Sequence, residues 1–328
     1  MIKLTSTLLI IAFSVLVSSC TNVDSDTPMP TPAESVQGVS LSPRSFTSDD
    51  FLQFMDLVSD AGRYLTWAGD WVLLADSTSG AFVVATLDDQ YAYVPIILTS
   101  WFKTEDGDTL HEMTDANKLL FMENCAEFAR RHRPPMMVLA VELNTAYDHS
   151  PALFAEFAAT FPAARDSIRS ASPNTLVGVD FLWEMMRGLR GGLFGGINDT
   201  TNTQFELINE FPTADFIGFN SYPCLVYAHP DSIPADYYSR ILDITDKPVA
   251  FFECGWHTGD ILPGWESSEA EQARFVERYL ELLAPLEPLA IIWPFLFDPD
   301  IQAPFNSMGL WDRNSNQPKA AWNAWIEE

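Results

Sequence analysis

The sequence predicts an α/β protein built as a (β/α)8 barrel. From about Val36 onward, short apolar runs alternate with longer amphipathic ones, and there are eight short runs. These runs are largely apolar throughout, which is typical of parallel strands covered on the outside by helices. A barrel is the simplest closure of eight such strands, and about 290 residues suits one barrel domain. A doubly wound sheet is the competing fold, but no run is followed by a GxGxxG or P-loop turn.

The predicted strands are, in chain order, VQGVSLS, RYLTWAG, YVPIILTSW, MMVLAVELN, TLVGVDFLW, DFIGFNSYP, VAFFECGW and LAIIWPFLF. Helical patterns lie between them. A helix is predicted over residues 48–61, where acids follow the cap-like Ser48. Another is predicted over 116–132, which ends in the basic residues that favour a helix C-terminus. A third is predicted over 268–283, where Ala273, Val276, Leu280 and Leu283 share one face.

The first 19 residues have the layout of a secretion signal. Lys3 precedes an apolar run that is too short for a membrane span, and small residues follow before Cys20. The ending VSSC resembles the bacterial lipobox, and this resemblance implies cleavage before Cys20 and lipid attachment to it. An ordinary signal peptide is the alternative. Residues 20–35 are polar and contain prolines, so we expect an extended tether that leads to a catalytic barrel over 36–328.

These features predict a protein that is lipid-anchored in the bacterial cell envelope and does not span the membrane. Among lipoproteins, a residue other than Asp after the lipidated cysteine, here Thr21, implies the outer membrane. The net charge is −27, and removal of residues 1–19 leaves 17 basic residues against 45 acidic ones, a charge of −28. Such a surface argues against nucleic acid as a partner. We expect a monomer.

Cysteine and histidine spacing predicts neither a metal site nor a cofactor. The histidines show no i,i+4 pair and no HExxH arrangement. After Cys20 three cysteines remain, an odd number that cannot form a complete disulfide framework. Cys224 and Cys254 either pair or stay as buried thiols, and the sequence leaves both options open.

Two acids end apolar strands, where a carboxylate is costly unless it is paired or used. Glu142 ends the fourth predicted strand and Glu253 ends the seventh. In a (β/α)8 barrel the active site lies at the C-terminal ends of the strands. Two carboxylates facing each other there are what glycoside hydrolysis requires: one protonates the leaving oxygen, and the other attacks the anomeric carbon or activates water. The alternative is that each acid caps a helix or pairs with an arginine such as Arg44.

Three late segments carry a family resemblance. KPVAFFECGW, ADFIGFNSYP and AIIWPFLFD, followed by MGLWDRNSNQPKAAW, resemble strands six to eight and the closing segment of the retaining TIM-barrel glycoside hydrolases. That clan includes the cellulase-like, β-mannanase and endo-β-1,4-galactanase families. The resemblance implies that Glu253 is the nucleophile and that Tyr222 hydrogen-bonds and orients it. It also implies that Asn220 binds substrate and that Trp293 floors the sugar subsite.

The same resemblance implies that Glu142 is the acid/base residue, since the clan carries that glutamate at the end of strand four. There an asparagine that holds the sugar 2-hydroxyl usually precedes it, but Val141 occupies that position here. Asn144, two residues after Glu142, supplies this hydrogen bond only if the strand end bends.

Aromatic residues near strand ends predict sugar stacking, because sugar rings place their apolar faces on Trp and Tyr. The candidates are Trp67, Trp71, Trp101 and Trp183. The alternative for any one of them is that it fills the interior. Asp70 is a candidate for binding a hydroxyl, and Arg44 for orienting Glu253 electrostatically.

The sequence therefore predicts a retaining β-glycoside hydrolase that acts on an oligo- or polysaccharide by double displacement. The alternative is a carbohydrate-binding lipoprotein on a hydrolase-like barrel without turnover, because a fold does not fix a function.

Overall fold

The computed structural model describes residues 35–326. The predicted signal segment, the lipidation site Cys20 and nearly all of the predicted tether lie outside this range. Eight parallel strands form a closed barrel in which each strand pairs with the next and the eighth pairs with the first. The barrel strands are β1 Gln37–Ser40, β2 Tyr64–Asp70, β3 Val94–Ser100, β4 Met136–Val138, β5 Leu176–Leu182, β6 Phe216–Ser221, β7 Val249–Cys254 and β8 Ile291–Trp293. The predicted (β/α)8 barrel is therefore confirmed, and each predicted run corresponds to one strand, with β2 extending one residue beyond its run to Asp70.

Helices connect most of the strands. They are α1 Ser48–Ala61, α2 Gly80–Thr86, α3 Asp88–Tyr91, α4 Asp115–His132, α5 Leu143–His149, α6 Pro151–Ala171, α7 Trp183–Met186, α8 Glu269–Leu283 and α9 Ala320–Ile326. A small antiparallel pair, β9 Trp311–Asp312 and β10 Gln317–Pro318, follows β8. Between β6 and β7 the chain forms only short 3-10 turns, so this crossover lacks the long helix seen between β4 and β5.

Local sequence explains where the predicted helices begin. The Ser268 side chain accepts a hydrogen bond from the Glu271 amide and so caps α8. The Thr114 hydroxyl caps α4 in the same way. In α1 the cap residue is Thr47 and Ser48 is the first helical residue. No helix within residues 35–326 is both long and apolar enough to cross a membrane.

Alternation along the strands divides the core into two layers. One apolar cluster contains only residues on or next to strands, such as Tyr64, Ile96, Phe216 and Phe252, and it therefore fills the barrel interior. The larger cluster joins alternate strand residues to the helices. Leu65 and Trp67 of β2 belong to that outer layer. The side of the strand on which a residue lies thus decides whether it faces the barrel axis or the helices.

Candidate active site

Glu142 lies just beyond β4, in a backbone conformation that is rare for a residue with a side chain. Its φ of 51° and ψ of 46° fall in the left-handed region, and it directly precedes α5. The Glu142 amide donates to Asp180 Oδ1 at 3.0 Å, and its Oε1 accepts from Asn220 Nδ2 at 3.2 Å. Burial, together with the negative charge of Glu253, raises the pKa of Glu142 to about 8. Glu142 therefore holds a proton at neutral pH.

Glu253 faces the same site because of an irregularity in β7. Phe219 of β6 pairs with Phe251, but the next residue, Asn220, pairs with Glu253, so β7 contains one extra residue, Phe252. Such a bulge turns the following side chain to the other face of the sheet. Glu253 consequently lies beside Asn220.

Tyr222 holds the Glu253 carboxyl group. The Tyr222 hydroxyl donates to Glu253 Oε2 at 2.6 Å. Burial raises the pKa of Glu253, and this hydrogen bond opposes the rise because it stabilises the carboxylate. Glu142 accepts only a neutral amide hydrogen bond, so within this interacting pair the proton belongs on Glu142 and the charge on Glu253.

Asn220 and Tyr222, two residues apart on β6 and its extension, each contact one carboxyl group of the pair. The structure therefore brings together four of the predicted site residues, Glu142, Glu253, Asn220 and Tyr222. The resemblance anticipated the contact between Tyr222 and Glu253. It did not anticipate that Asn220 contacts Glu142.

Two further acids near the pair were not predicted. Asp180 lies on the inner face of β5, is fully buried, and contacts the Glu142 amide. Glu184, also fully buried, lies in α7. Glu142 and Glu253 were identified as acids at the ends of apolar runs. TLVGVDFLW also contains an acid, Asp180, but it lies inside the run and not at its end.

Glu184 is the acceptor of a hydrogen-bond network that includes the Tyr222 backbone. Its carboxyl group accepts from the Ser221 hydroxyl at 2.7 Å, from the Tyr237 hydroxyl at 2.9 Å and from the Tyr222 amide at 3.0 Å. The Tyr238 hydroxyl adds a hydrogen bond to Ser221 at 2.8 Å. Burial raises the pKa of Glu184, whereas these donors favour its charged form. The network fixes the backbone that carries Tyr222.

The tryptophans do not offer free faces to a sugar. Trp293 belongs to the outer layer, donates its indole N–H to the Met308 carbonyl at 2.8 Å, and packs on Trp325 and Phe275. Trp67 packs in the same layer against the α2 residue Gly80. Of the five candidates Trp67 is the most exposed, at 8%, and the others, at 1% or less, are Trp71, Trp101, Trp183 and Trp293. Their predicted stacking role is not supported, because alternation along the strands or loop packing turns each ring into the core.

Trp71 and Trp101 stack on each other at 5.1 Å, and Trp101 donates to the His111 carbonyl at 2.7 Å. Trp183 stacks on Phe205 and donates to the Tyr237 carbonyl at 3.2 Å. These rings support the loops around the barrel mouth from within.

Two polar candidates also have other partners. Asn144 is fully buried, and its amide exchanges two hydrogen bonds with the Leu182 backbone, both at 2.9 Å, so it is not placed to bind a sugar hydroxyl. Arg44 forms an ion pair with Asp50 at the start of α1. It is not among the groups that shift the pKa of Glu253. The predicted orienting role of Arg44 is therefore not supported.

Asp70, the third polar candidate, lies at the barrel mouth, at the end of β2. One of its oxygens accepts from the Val72 amide at 3.1 Å, and the other contacts His111 Nε2 at 2.8 Å.

The ring of Phe305, in the loop after β8, meets Tyr222 edge to face at 5.2 Å and is half-buried. It is an aromatic residue next to the carboxyl pair that sequence reasoning missed.

The remaining cysteines are free. Cys125, Cys224 and Cys254 are buried thiols, so Cys224 and Cys254 do not pair in this structure. In the part of the chain that the structure describes, no group of His, Cys, Asp and Glu side chains is arranged to hold a metal ion.

No protein-family model and no curated protein sequence matches this chain. Several solved structures have a similar fold. The exo-β-1,4-mannosidase from Opitutaceae bacterium strain TAV5 is 16% identical with a TM-score of 0.60, and the match covers 90% of this chain. This chain spans only 59% of the mannosidase chain.

The catalytic domain of a glycoside hydrolase family 53 protein from Ignisphaera aggregans is 14% identical with a TM-score of 0.63, over 91% of this chain and 98% of that one. A psychrophilic family 10 endo-β-1,4-xylanase is 12% identical with a TM-score of 0.58, over 90% of this chain and 97% of the xylanase. These likenesses show that the chain shares the TIM-barrel fold of solved glycoside hydrolases.

Proposed function

We propose that this protein is a retaining β-glycoside hydrolase. The observation that carries the proposal is the pairing of two unlike carboxyl groups: Glu142 with a pKa of about 8 and Glu253 with a hydrogen bond from Tyr222, linked through β6. A protonated acid beside a charged carboxylate is the arrangement that cleavage of a glycosidic bond uses. The solved structures of similar fold, which include a mannosidase and a xylanase, support the same class of reaction.

The mechanism has two steps. In the first, the Glu142 carboxyl donates its proton to the glycosidic oxygen while a Glu253 oxygen attacks the anomeric carbon, so the leaving sugar departs and a glycosyl ester forms on Glu253. In the second, ionised Glu142 takes a proton from water, and this water attacks the anomeric carbon and releases Glu253.

The electrostatics of the pair suit this exchange of roles. The charge of Glu253 is one cause of the raised pKa of Glu142. Formation of the ester removes that charge, so the pKa of Glu142 falls and Glu142 becomes an effective base for the second step. Tyr222 stabilises the Glu253 carboxylate before attack.

The test is an assay of β-linked aryl glycosides and β-glycans, including mannosides, galactosides, galacturonides and xylosides, with E253Q, E142Q and a matched control. Glu266 is a suitable control because it lies exposed in the loop after β7, at the same end of the barrel. We expect E253Q and E142Q to lose at least about 100-fold in kcat/KM and E266Q to match the wild type. A 2-fluoro glycoside should label Glu253, as detected by mass spectrometry.

Retained turnover in E253Q would overturn the assignment of the nucleophile. The anomeric configuration of the first product, read by NMR, checks retention directly. An inverted product would contradict the double displacement.

A second candidate function is binding of a carbohydrate without turnover. Val141 favours it, because this side chain packs in the barrel interior where the resembling families carry the asparagine for the 2-hydroxyl, and Asn144 is occupied by the Leu182 backbone. Calorimetric binding of a β-glycan together with unchanged glycan after long incubation would support this function and exclude hydrolysis of that glycan.

We also propose that the protein is anchored in the bacterial cell envelope through a lipid on Cys20 and that it acts there on an oligo- or polysaccharide. The proposal is supported by the lipobox-like VSSC sequence. Labelling with a radioactive fatty acid should mark the wild type but not C20S, and label on C20S would contradict it.

A further inference from the structure

Asp180 is a third carboxyl group beside the proposed catalytic pair, and the mechanism above does not use it. It lies on the inner face of β5, opposite Gly218 of β6, and has no exposed surface. Its Oδ1 accepts from the Glu142 amide at 3.0 Å, whereas no described residue hydrogen-bonds its Oδ2. Burial of an acid with one unpaired oxygen is costly, so its presence requires an explanation.

The surroundings are shaped to hold this side chain. Gly178 and Gly218 flank it on the inner faces of β5 and β6, and a Cβ atom on Gly218 would lie 3.1 Å from Asp180 Oδ2 and 2.7 Å from the Phe252 ring. The Asp180 amide also donates to the Ala140 carbonyl at 3.0 Å. Asp180 is thereby fixed against Ala140, which lies two residues beyond β4 and two residues before Glu142.

We propose that Asp180 is a positioning residue for Glu142, which it holds by accepting the hydrogen bond of the Glu142 amide at the point where the chain takes its left-handed turn. A left-handed conformation is disfavoured for glutamate and persists only where the surroundings enforce it. Asn220 holds the carboxyl end of the same residue. With backbone and carboxyl both fixed, Glu142 is directed at the bond to be cleaved. This inference rests on the proposed function.

Burial beside two other acids favours the neutral form of Asp180. The titratable groups that face it are Glu142 and Glu253, both acids, and burial raises the pKa of Asp180 well above its ordinary range. Because Oδ1 accepts the amide hydrogen bond, the proton of the neutral acid resides on Oδ2. A neutral Asp180 fixes Glu142 without opposing the negative charge that Glu142 gains in the first step and carries into the second, whereas an ionised Asp180 would oppose it.

The test compares D180N, D180A and the control D215A. Asparagine keeps an acceptor oxygen and is neutral in about the same volume, whereas alanine leaves the Glu142 amide unpaired. Asp215 makes the same kind of bond at the other end of β5, where its Oδ2 accepts from the Val177 amide at 2.9 Å. D215A therefore removes a comparable hydrogen bond far from the barrel mouth, together with the ion pair between Asp215 and Arg165.

We expect D180N to keep kcat within about threefold and to keep both limbs of the pH profile. D180A should lose about 10- to 100-fold in kcat with little change in KM, since a displaced acid impairs chemistry more than binding. Its alkaline limb should move to lower pH, because a Glu142 that is free to turn toward water loses part of its desolvation. D215A should lower the Tm and leave both limbs in place.

A wild-type profile in D180A would overturn the positioning role. If the alkaline limb of the D180N pH profile is displaced from its wild-type position, the neutral state of Asp180 is overturned. This test holds even if D180A does not fold. The pKa of Glu142, followed by NMR of carboxyl-labelled glutamate in the absence of substrate, separates the two proposals. If the wild type turns over no glycoside, only the proposed function fails; if D180A leaves the Glu142 titration unchanged, the inference fails by itself.

Discussion

The hydrogen bond from Tyr222 to Glu253 makes a quantitative prediction for Y222F. The Tyr222 hydroxyl lies 2.6 Å from Glu253 Oε2 and lowers a pKa that burial raises. A hydrogen bond to a charged group contributes roughly 1.5–3 kcal/mol, and each pKa unit corresponds to about 1.4 kcal/mol. Removal of the hydroxyl should therefore raise the apparent pKa of Glu253 by about one to two units.

The assay is kcat/KM as a function of pH. The nucleophile must be ionised, so the acidic limb of the Y222F profile should move to higher pH by that amount, and below the limb kcat/KM should fall about 10- to 100-fold. The matched control is Y64F, which removes the hydroxyl of another buried tyrosine, one that lies within the barrel and has no hydrogen-bond partner among the described residues. An acidic limb that stays in place in Y222F, or moves to lower pH, would refute the reasoning.

Two further predictions concern stability. Burial raises the pKa of Glu142 from an ordinary 4.5 to about 8, so the unfolded chain loses this proton more readily and the wild type loses stability as pH rises between these values. E142Q should match the wild type near pH 4 and exceed its free energy of unfolding by roughly 3–5 kcal/mol at pH 8 in urea unfolding, and an equal difference at both pH values would contradict this. W293F leaves the Met308 carbonyl without its indole donor and should cost about 1–3 kcal/mol in the free energy of unfolding. The KM of W293F should stay within about twofold of the wild-type value, whereas a rise of about tenfold would support the predicted stacking of a sugar on Trp293.

The strand order and the positions of the two glutamates were predictable because apolar runs and their ends are local properties of the sequence. Each predicted run corresponds to a strand, and α1 spans the predicted residues 48–61. The direction in which a side chain points was harder to predict. Trp293 was correctly placed on β8, but it follows Ile291 on the outer face, so its ring contacts helices instead of the mouth.

The direction of the Glu253 side chain was also hard to predict, but here alternation gives the wrong face. Phe252 lies in the barrel interior, so strict alternation would turn Glu253 toward the helices. Only the extra residue in β7 brings Glu253 beside Asn220, and nothing in VAFFECGW marks that bulge. The position of Glu253 at the end of an apolar run and the resemblance to a family both identified it, whereas a count of alternating residues would have discarded it.

Glu142 explains why part of the site escapes a reading of motifs. In the families that the sequence resembles, an asparagine adjacent in sequence accompanies the acid, whereas here Val141 fills the interior. The contacts to Glu142 come instead from Asp180 on β5 and Asn220 on β6, which are 38 and 78 residues away in the chain. Contacts between different strands depend on the closed barrel and leave no local pattern in the sequence. An acid within an apolar run, such as Asp180, is therefore worth testing wherever it stands in the strand, because its partner is set by the neighbouring strand and not by the adjacent residues.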